Sequence, residues 1–281
     1  MKKNGLSKIV LGCALATCAS AASATTILYN DFSDVSGLTL NGSAAALTPN
    51  ADNNLRLTST TGQSASAFST SSISLASDVS FSTAFSFNIS NPSGISDGDG
   101  QGADGLTFTL QTNSNTAGGG GGGIGYSGIT NSFAVEFDTW NNGGWDDHNG
   151  NHVGINLGGN IDSVLQTGIA TRMNNSQDWF SWIDYNGVTD LLEVRLAQVD
   201  LRPTTALLAY TVDLTGVLGS TNAFAGFTSG TGGAGGQHDI LDWQFNSEYK
   251  PITTVGEVPS PAPLALMLAG MGALCLRRRN A

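Results

Sequence analysis

Short apolar runs alternate residue by residue, are separated by Gly, Ser, Thr and Asn, and never lengthen into a helical period; this constrains the chain more than any other feature. Phe81, Thr83, Phe85, Phe87 and Ile89 alternate along one run, and Leu106, Phe108 and Leu110 along the next. Leu192, Val194 and Leu196 repeat the pattern, as do Leu208, Tyr210, Val212 and Leu214. Successive side chains of a strand point to opposite faces, so a period of two gives each run one apolar face. Many short strands of this kind bury their faces against one another, and the expected fold class is all-β, an antiparallel β-sandwich.

Both ends read as export signals. Residues 1–24 carry Lys2, Lys3 and Lys8, then an apolar stretch from Ile9 to Cys18, then Ala22-Ser23-Ala24, which fits a signal-peptidase site. A lipoprotein reading at Cys18 is disfavoured by Thr17, which is larger than the Gly or Ala wanted there. Residues 258–281 begin Val258-Pro259-Ser260-Pro261-Ala262-Pro263, continue apolar from Leu264 to Leu276 and end on Arg277, Arg278 and Arg279. As a helix the apolar part would reach roughly 20 Å, short of a hydrocarbon core of ~30 Å. This tail resembles the PEP-CTERM sorting tails of Gram-negative bacteria, with VPxPAP in place of Val-Pro-Glu-Pro. The resemblance implies transit to the envelope, cleavage by an exosortase-type enzyme, and residence at the cell surface or in the exopolysaccharide layer.

Between the ends, residues 25–247 form one domain of about 225 residues, an ordinary size for a sandwich, and residues 248–257 are the linker. Cys13, Cys18 and Cys275 all fall outside this domain, which therefore rests on its core and on metal rather than on disulfides. From Thr25 to Lys250 there are 21 acidic side chains against 5 basic ones, a formal charge of −16. Such a surface repels phosphate backbones, so nucleic acid is excluded as a partner, while divalent cations and neutral ligands suit it. The run Gly118 to Gly123 creates a literal G-x-G-x-x-G at Gly123, Gly125 and Gly128. It is not a dinucleotide fingerprint, because Ser132 to Trp140 alternates as a strand where that motif must open a helix.

The chemistry is concentrated between Glu136 and His152, in a chain only 12% charged. Strand alternation sets Glu136, Asp138 and Trp140 on one face and Phe133, Val135 and Phe137 on the other. Two carboxylates on one face repel unless a cation lies between them. The following loop supplies Asn142, Asp146 and Asp147, and His152 begins the next strand. Oxygen donors suit Ca²⁺, and carboxylates joined by an imidazole suit a transition ion such as Mn²⁺.

Here the chain resembles the legume-type (L-type, concanavalin A-like) lectins. Their metal segment has Glu, Asp at +2, an aromatic at +4, Asn at +6, Asp at +11 and His at +16, and Glu136, Asp138, Trp140, Asn142, Asp147 and His152 match every offset. Similar strings run in family order, among them Leu38-Thr39-Leu40-Asn41-Gly42, Gly102-Ala103-Asp104-Gly105-Leu106 and His238-Asp239-Ile240-Leu241-Asp242-Trp243. The resemblance implies a concanavalin A-like jelly roll. It also implies that Asp138, the Trp140 carbonyl, Asn142 and Asp147 bind Ca²⁺, and that Glu136, Asp138, Asp147 and His152 bind the transition ion, with Ser163 near a metal-bound water. His238 and His148 are expected to be non-ligands.

A glycan or polysaccharide is the implied ligand. The family places Asp104, Trp140 and Asn142 around the sugar with a backbone N–H from the glycine run, here assigned to Gly122. Asp104 would accept hydroxyl hydrogen bonds, Asn142 would serve Ca²⁺ and sugar with its two amide ends, and Trp140 would lie on the sugar's apolar face. The Ala103–Asp104 bond is expected to be cis. The loop that sets monosaccharide preference falls at Ser229 to Gly236, where Gly232 and Gly233 leave backbone alone to line the pocket. The expected function is that of an exported metal-dependent lectin, and an oligomer is compatible with it. A rival is a structural or adhesive matrix protein that keeps the metals without useful sugar affinity. A glycoside hydrolase on the same fold is disfavoured, since Trp140 and Asn141 stand where its second catalytic Glu would be; the chain is expected not to be an enzyme.

Overall fold

In this computed structural model, residues 24–75, 78–118, 121–145 and 148–255 are described. The strands in chain order are β1 Thr26–Tyr29, β2 Leu38–Gly42, β3 Leu55–Thr58, β4 Ser64–Ser69, β5 Ile73–Ser74, β6 Phe81–Gly94, β7 Ser96–Asp97, β8 Gly100–Gln101 and β9 Gly105–Gln111. After them come β10 Ser132–Asp138, β11 His152–Leu157, β12 Leu165–Gly168, β13 Asp178–Asn186, β14 Leu191–Ala197, β15 Leu208–Thr211, β16 Asn222–Gly230 and β17 Ala234–Asn246. One sheet runs β1-β17-β6-β13-β14-β15 with β3 beside β17; the other runs β12-β11-β10-β9-β16-β4-β2 with β5 beside β16. A hairpin of β7 and β8 stands apart from both sheets. Neighbours pair antiparallel throughout, as the alternating pattern requires.

The alternating aromatics of β6 and β17 meet those of β9, β10 and β16 between the two sheets. Phe85 lies edge-on to Phe227 at 5.0 Å and to Phe137 at 5.7 Å, and Trp243 is edge-on to Phe227 at 5.1 Å. Phe133, Val135 and Phe137 all enter this core, the face assigned to them above. One feature departs from the one-apolar-face expectation: every residue of β9 and β10 is buried, on both faces. Residues 121–131 fold across the outer side of these strands, where Tyr126 and Ile129 pack on Ala134 and Thr228 donates to the Ile124 carbonyl at 2.7 Å. The polar face of β10 is thus roofed over, and its carboxylates sit in a low-dielectric interior.

The run from Leu208 does not continue as a strand to Leu214. Asp213 accepts a hydrogen bond from the Gly216 amide at 2.9 Å and so caps a short helix, α1, over Leu214–Leu218, which closes at Gly219 in the left-handed region (φ 66°). Beyond β17, Ile252 and Val255 bury themselves against Trp182 on the outer face of the first sheet. The segments of residues 1–23 and 256–281 lie outside the described residues.

Candidate metal and ligand site

Register brings the metal residues together. β10 and β11 pair so that Asp138 faces His152 and Glu136 faces Gly154. Glu136, Asp138 and His152 each offer a ligand atom, all within 4.8 Å of one another, and the residues are 2%, 3% and 0% exposed. A side chain at residue 154 would collide with the Glu136 carboxylate and the Ser163 hydroxyl, which is why glycine stands there. Ser163 donates to Glu136 Oε1 at 2.6 Å and Asn156 Nδ2 to its Oε2 at 2.5 Å. Asn156 went unnoticed in the sequence, although the period of two from His152 through Gly154 would have placed it on this face.

His152 Nδ1 lies 3.0 Å from the Asn149 carbonyl, which can only accept, so Nδ1 carries a proton. Its Nε2 lies 3.1 Å from Glu136 Oε1. A metal-bound histidine ordinarily donates its other N–H to a carbonyl, as His152 does, and the neighbouring carboxylates supply oxygen donors for a cation. The donor set therefore fits a metal ion. Asp146 and Asp147 lie outside the described residues, so their part in the cluster is not seen.

Asp104 stands beside this cluster. It follows a cis Ala103–Asp104 bond, as expected, and is 4% exposed. Its carbonyl accepts from the Thr139 amide at 2.9 Å, one residue past Asp138, and its own amide donates to Gly230 at 3.0 Å. The next residue must be glycine, since at φ 129° a β-carbon there would run into the Phe137 carbonyl. Asp104 Oδ2 has no hydrogen-bond partner among the described residues, and burial pushes the carboxyl up to about 7. A buried carboxyl oxygen without a donor in a dry setting suits a ligand's O–H or N–H.

The other predicted residues lie nearby. The Trp140 amide donates to Asp138 Oδ1 at 2.7 Å, and its side chain is half-buried. Among the described glycines of the run, Gly122, in a 3-10 turn over Gly121–Gly123, lies against the Asn142 amide: a β-carbon on it would come 2.7 Å from Asn142 Oδ1, whereas one on Gly121 would meet nothing. Gly232 and Gly233 lie in the loop joining β16 to β17, and a β-carbon at Gly232 would be 3.8 Å from Asp104 Oδ2. Asp97 carried no signal in the sequence; its Oδ2 accepts from the Asn141 amide at 2.9 Å and ties the β7–β8 hairpin to the metal loop.

Neither remaining histidine joins the cluster. His238 lies fully buried in β17 with Nδ1 against the Thr58 and Ser229 hydroxyls, and burial lowers it to about 3, so it stays neutral. Ser229 donates in turn to the Gly105 carbonyl at 2.8 Å, so this trio braces the strand that begins at Asp104. His148 is exposed, with its amide bonded to the Gly143 carbonyl.

Comparison with known proteins follows the same outline. The family model described as legume lectin domain matches residues 24–259. The L-type lectin-domain containing receptor kinase VIII.2 of Arabidopsis thaliana is 32% identical over 186 residues, 62% of this chain and 24% of the kinase. The probable inactive L-type lectin-domain containing receptor kinase III.1 of the same plant is 33% identical over 145 residues, 46% of this chain and 23% of that protein. The chain thus spans about a quarter of the length of these curated relatives. Among solved structures, winged bean acidic lectin complexed with methyl-α-D-galactose is 27% identical with a TM-score of 0.65, covering 84% of this chain and 100% of that one. Basic winged bean lectin with Tn-antigen is 26% identical, with a TM-score of 0.65, over 80% and 98%.

Proposed function

Because this chain belongs to the legume lectin domain family and has its concanavalin A-like jelly roll, we propose that it is an exported, non-enzymatic, metal-dependent carbohydrate-binding protein. The observation that carries this reading is Asp104: a buried carboxyl with an oxygen that has no partner among the described residues, near Gly232 and one hydrogen bond from the metal strand. Sugar hydroxyls are donors of the kind this oxygen lacks, and hydrogen bonds to an ionised acceptor are the stronger class. Asn142 and Gly122, in contact with one another, supply amide N–H groups, and Trp140 an apolar surface. Winged bean acidic lectin is complexed with methyl-α-D-galactose and basic winged bean lectin with Tn-antigen, which supports a glycan or polysaccharide ligand.

Glu136, Asp138 and His152 would hold the transition ion, Mn²⁺ by its donor set, with Asp147 as a further ligand. Asp138, the Trp140 carbonyl, Asn142 and Asp147 would hold Ca²⁺. Bound cations would neutralise the facing carboxylates and fix the loop that carries Trp140 and Asn142. The export reading rests on residues 1–24 and on the VPxPAP tail, through which an exosortase-type enzyme would deliver the protein to the envelope or the surrounding matrix.

A glycan array run in Ca²⁺ and Mn²⁺, with Asp104→Ala alongside, tests the assignment. Hits that vanish in the variant are expected; an empty array, or hits that survive Asp104→Ala, would overturn it.

A further inference from the structure

Ile95 is a large apolar side chain left 59% exposed at the root of the β7–β8 hairpin, beside the loop that carries Gly232 and Gly233. Its amide donates to the Gly233 carbonyl at 3.1 Å, and its Cδ1 is close enough to Gly233 that a β-carbon there would press on it at 3.1 Å. A β-carbon on the adjoining Gly232 would come 3.8 Å from Asp104 Oδ2, which has no hydrogen-bond partner among the described residues. At this rim the two glycines contribute no side chain, and Ile95 supplies an apolar surface from a different loop.

The position is also held firmly. Gln101 Nε2 donates to the Gly94 carbonyl at 3.1 Å, Asn174 Nδ2 to the Gln101 carbonyl at 3.1 Å, and Asp97 anchors the hairpin to Asn141, next to Asn142. A β-branched side chain is stiff at χ1, so little freedom is lost when something packs on it. Left in water, the same surface is merely exposed; covered by a ligand methyl group, it contributes to binding.

We infer that Ile95 is a specificity-determining residue that selects saccharides carrying a methyl group, as an N-acetyl substituent or as the C6 of a 6-deoxy sugar, over the parent hexoses. This rests on the lectin reading above. Burying one methyl group corresponds to about a fourfold gain in affinity.

Calorimetric titration of the full chain in Ca²⁺ and Mn²⁺ tests the inference with glucose, galactose and mannose, each beside its N-acetylated and its 6-deoxy counterpart. At least one methyl-bearing sugar should bind about fourfold or more tightly than its parent, and which counterpart gains identifies the source of the methyl. Ile95→Ser, a change at an exposed position, should erase that gain and keep the parent hexose within about twofold. A gain that persists in Ile95→Ser, or an equal loss for parent and methylated sugars, overturns the role of Ile95 and leaves the lectin reading standing. Failure of every sugar to bind the unaltered chain overturns both.

Discussion

Removing the Asp104 carboxylate from the metal-free protein should stabilise it in alkali and have little effect in acid. Burial lifts this carboxyl from 3.8 to about 7, so between those values the folded chain keeps a proton that the unfolded chain has released. Stability of the parent therefore falls as pH rises through that window, by up to ~1.4 kcal/mol per pH unit and about 4 kcal/mol in all. Below the window both states hold the proton, above it both have lost it, and the curve is flat. Asp104→Ala has no such slope. Asp184, Asp239 and Asp242 are also raised by burial, but they occur in both proteins and cancel in the difference. For a domain of this size about 4 kcal/mol corresponds to roughly 8–16 °C in Tm. Thermal melts followed by circular dichroism in EDTA at pH 4, 6 and 8 should show the variant gaining on the parent by that amount from the first pH to the last. Added Ca²⁺ should shrink the gap, because a cation nearby favours the ionised carboxylate. Parallel Tm curves for parent and variant in EDTA would refute the argument.

Exhaustive chelation should abolish glycan binding and leave the far-ultraviolet spectrum of the sandwich in place, because the core is built by the two sheets rather than by the metal cluster; binding that persists without metal would contradict this. Gly154→Ala should weaken Mn²⁺ binding at least tenfold in a titration followed by electron paramagnetic resonance, since the added methyl displaces the Glu136 carboxylate and the Ser163 hydroxyl. Phe85→Ala should cost ~3–5 kcal/mol in denaturant unfolding, as Phe85 is fully buried between Phe137 and Phe227; a cost under ~1 kcal/mol would mean that the sheets are not packed through it.

Much of this was legible because it is periodic. The alternating apolar residues of β6 and β9 announced a sandwich, and the same alternation put Glu136 and Asp138 on one face and Phe133, Val135 and Phe137 on the other. Periodicity says nothing about what covers the second face. That β10 is roofed by Tyr126 and Ile129 comes from a loop of irregular composition, whose path depends on contacts far apart in the chain. Asn156 could have been found by counting in twos from His152. Asp97 and Ile95 could not, because a hairpin that belongs to neither sheet leaves no pattern tying it to Asn141 or Gly233.

The glycine run shows the same division. Six glycines in a row are indistinguishable as letters; the family resemblance pointed to Gly122, and the fold sets it against the Asn142 amide while Gly121 meets nothing. What the sequence by itself determined was what spacing along a strand carries: the fold class, the faces, and Glu136 beside Asp138 on one of them. The tertiary structure alone decided which strand pairs with which, and hence that Asp138 faces His152, that Asp104 keeps an unpartnered oxygen, and that Ile95 stands by the empty glycine wall. The reason is physical: side-chain direction follows from the local backbone and can be counted, whereas register, burial and the dielectric around a charge arise from separate segments brought together, 14 residues apart for Asp138 and His152 and 126 for Asp104 and Gly230.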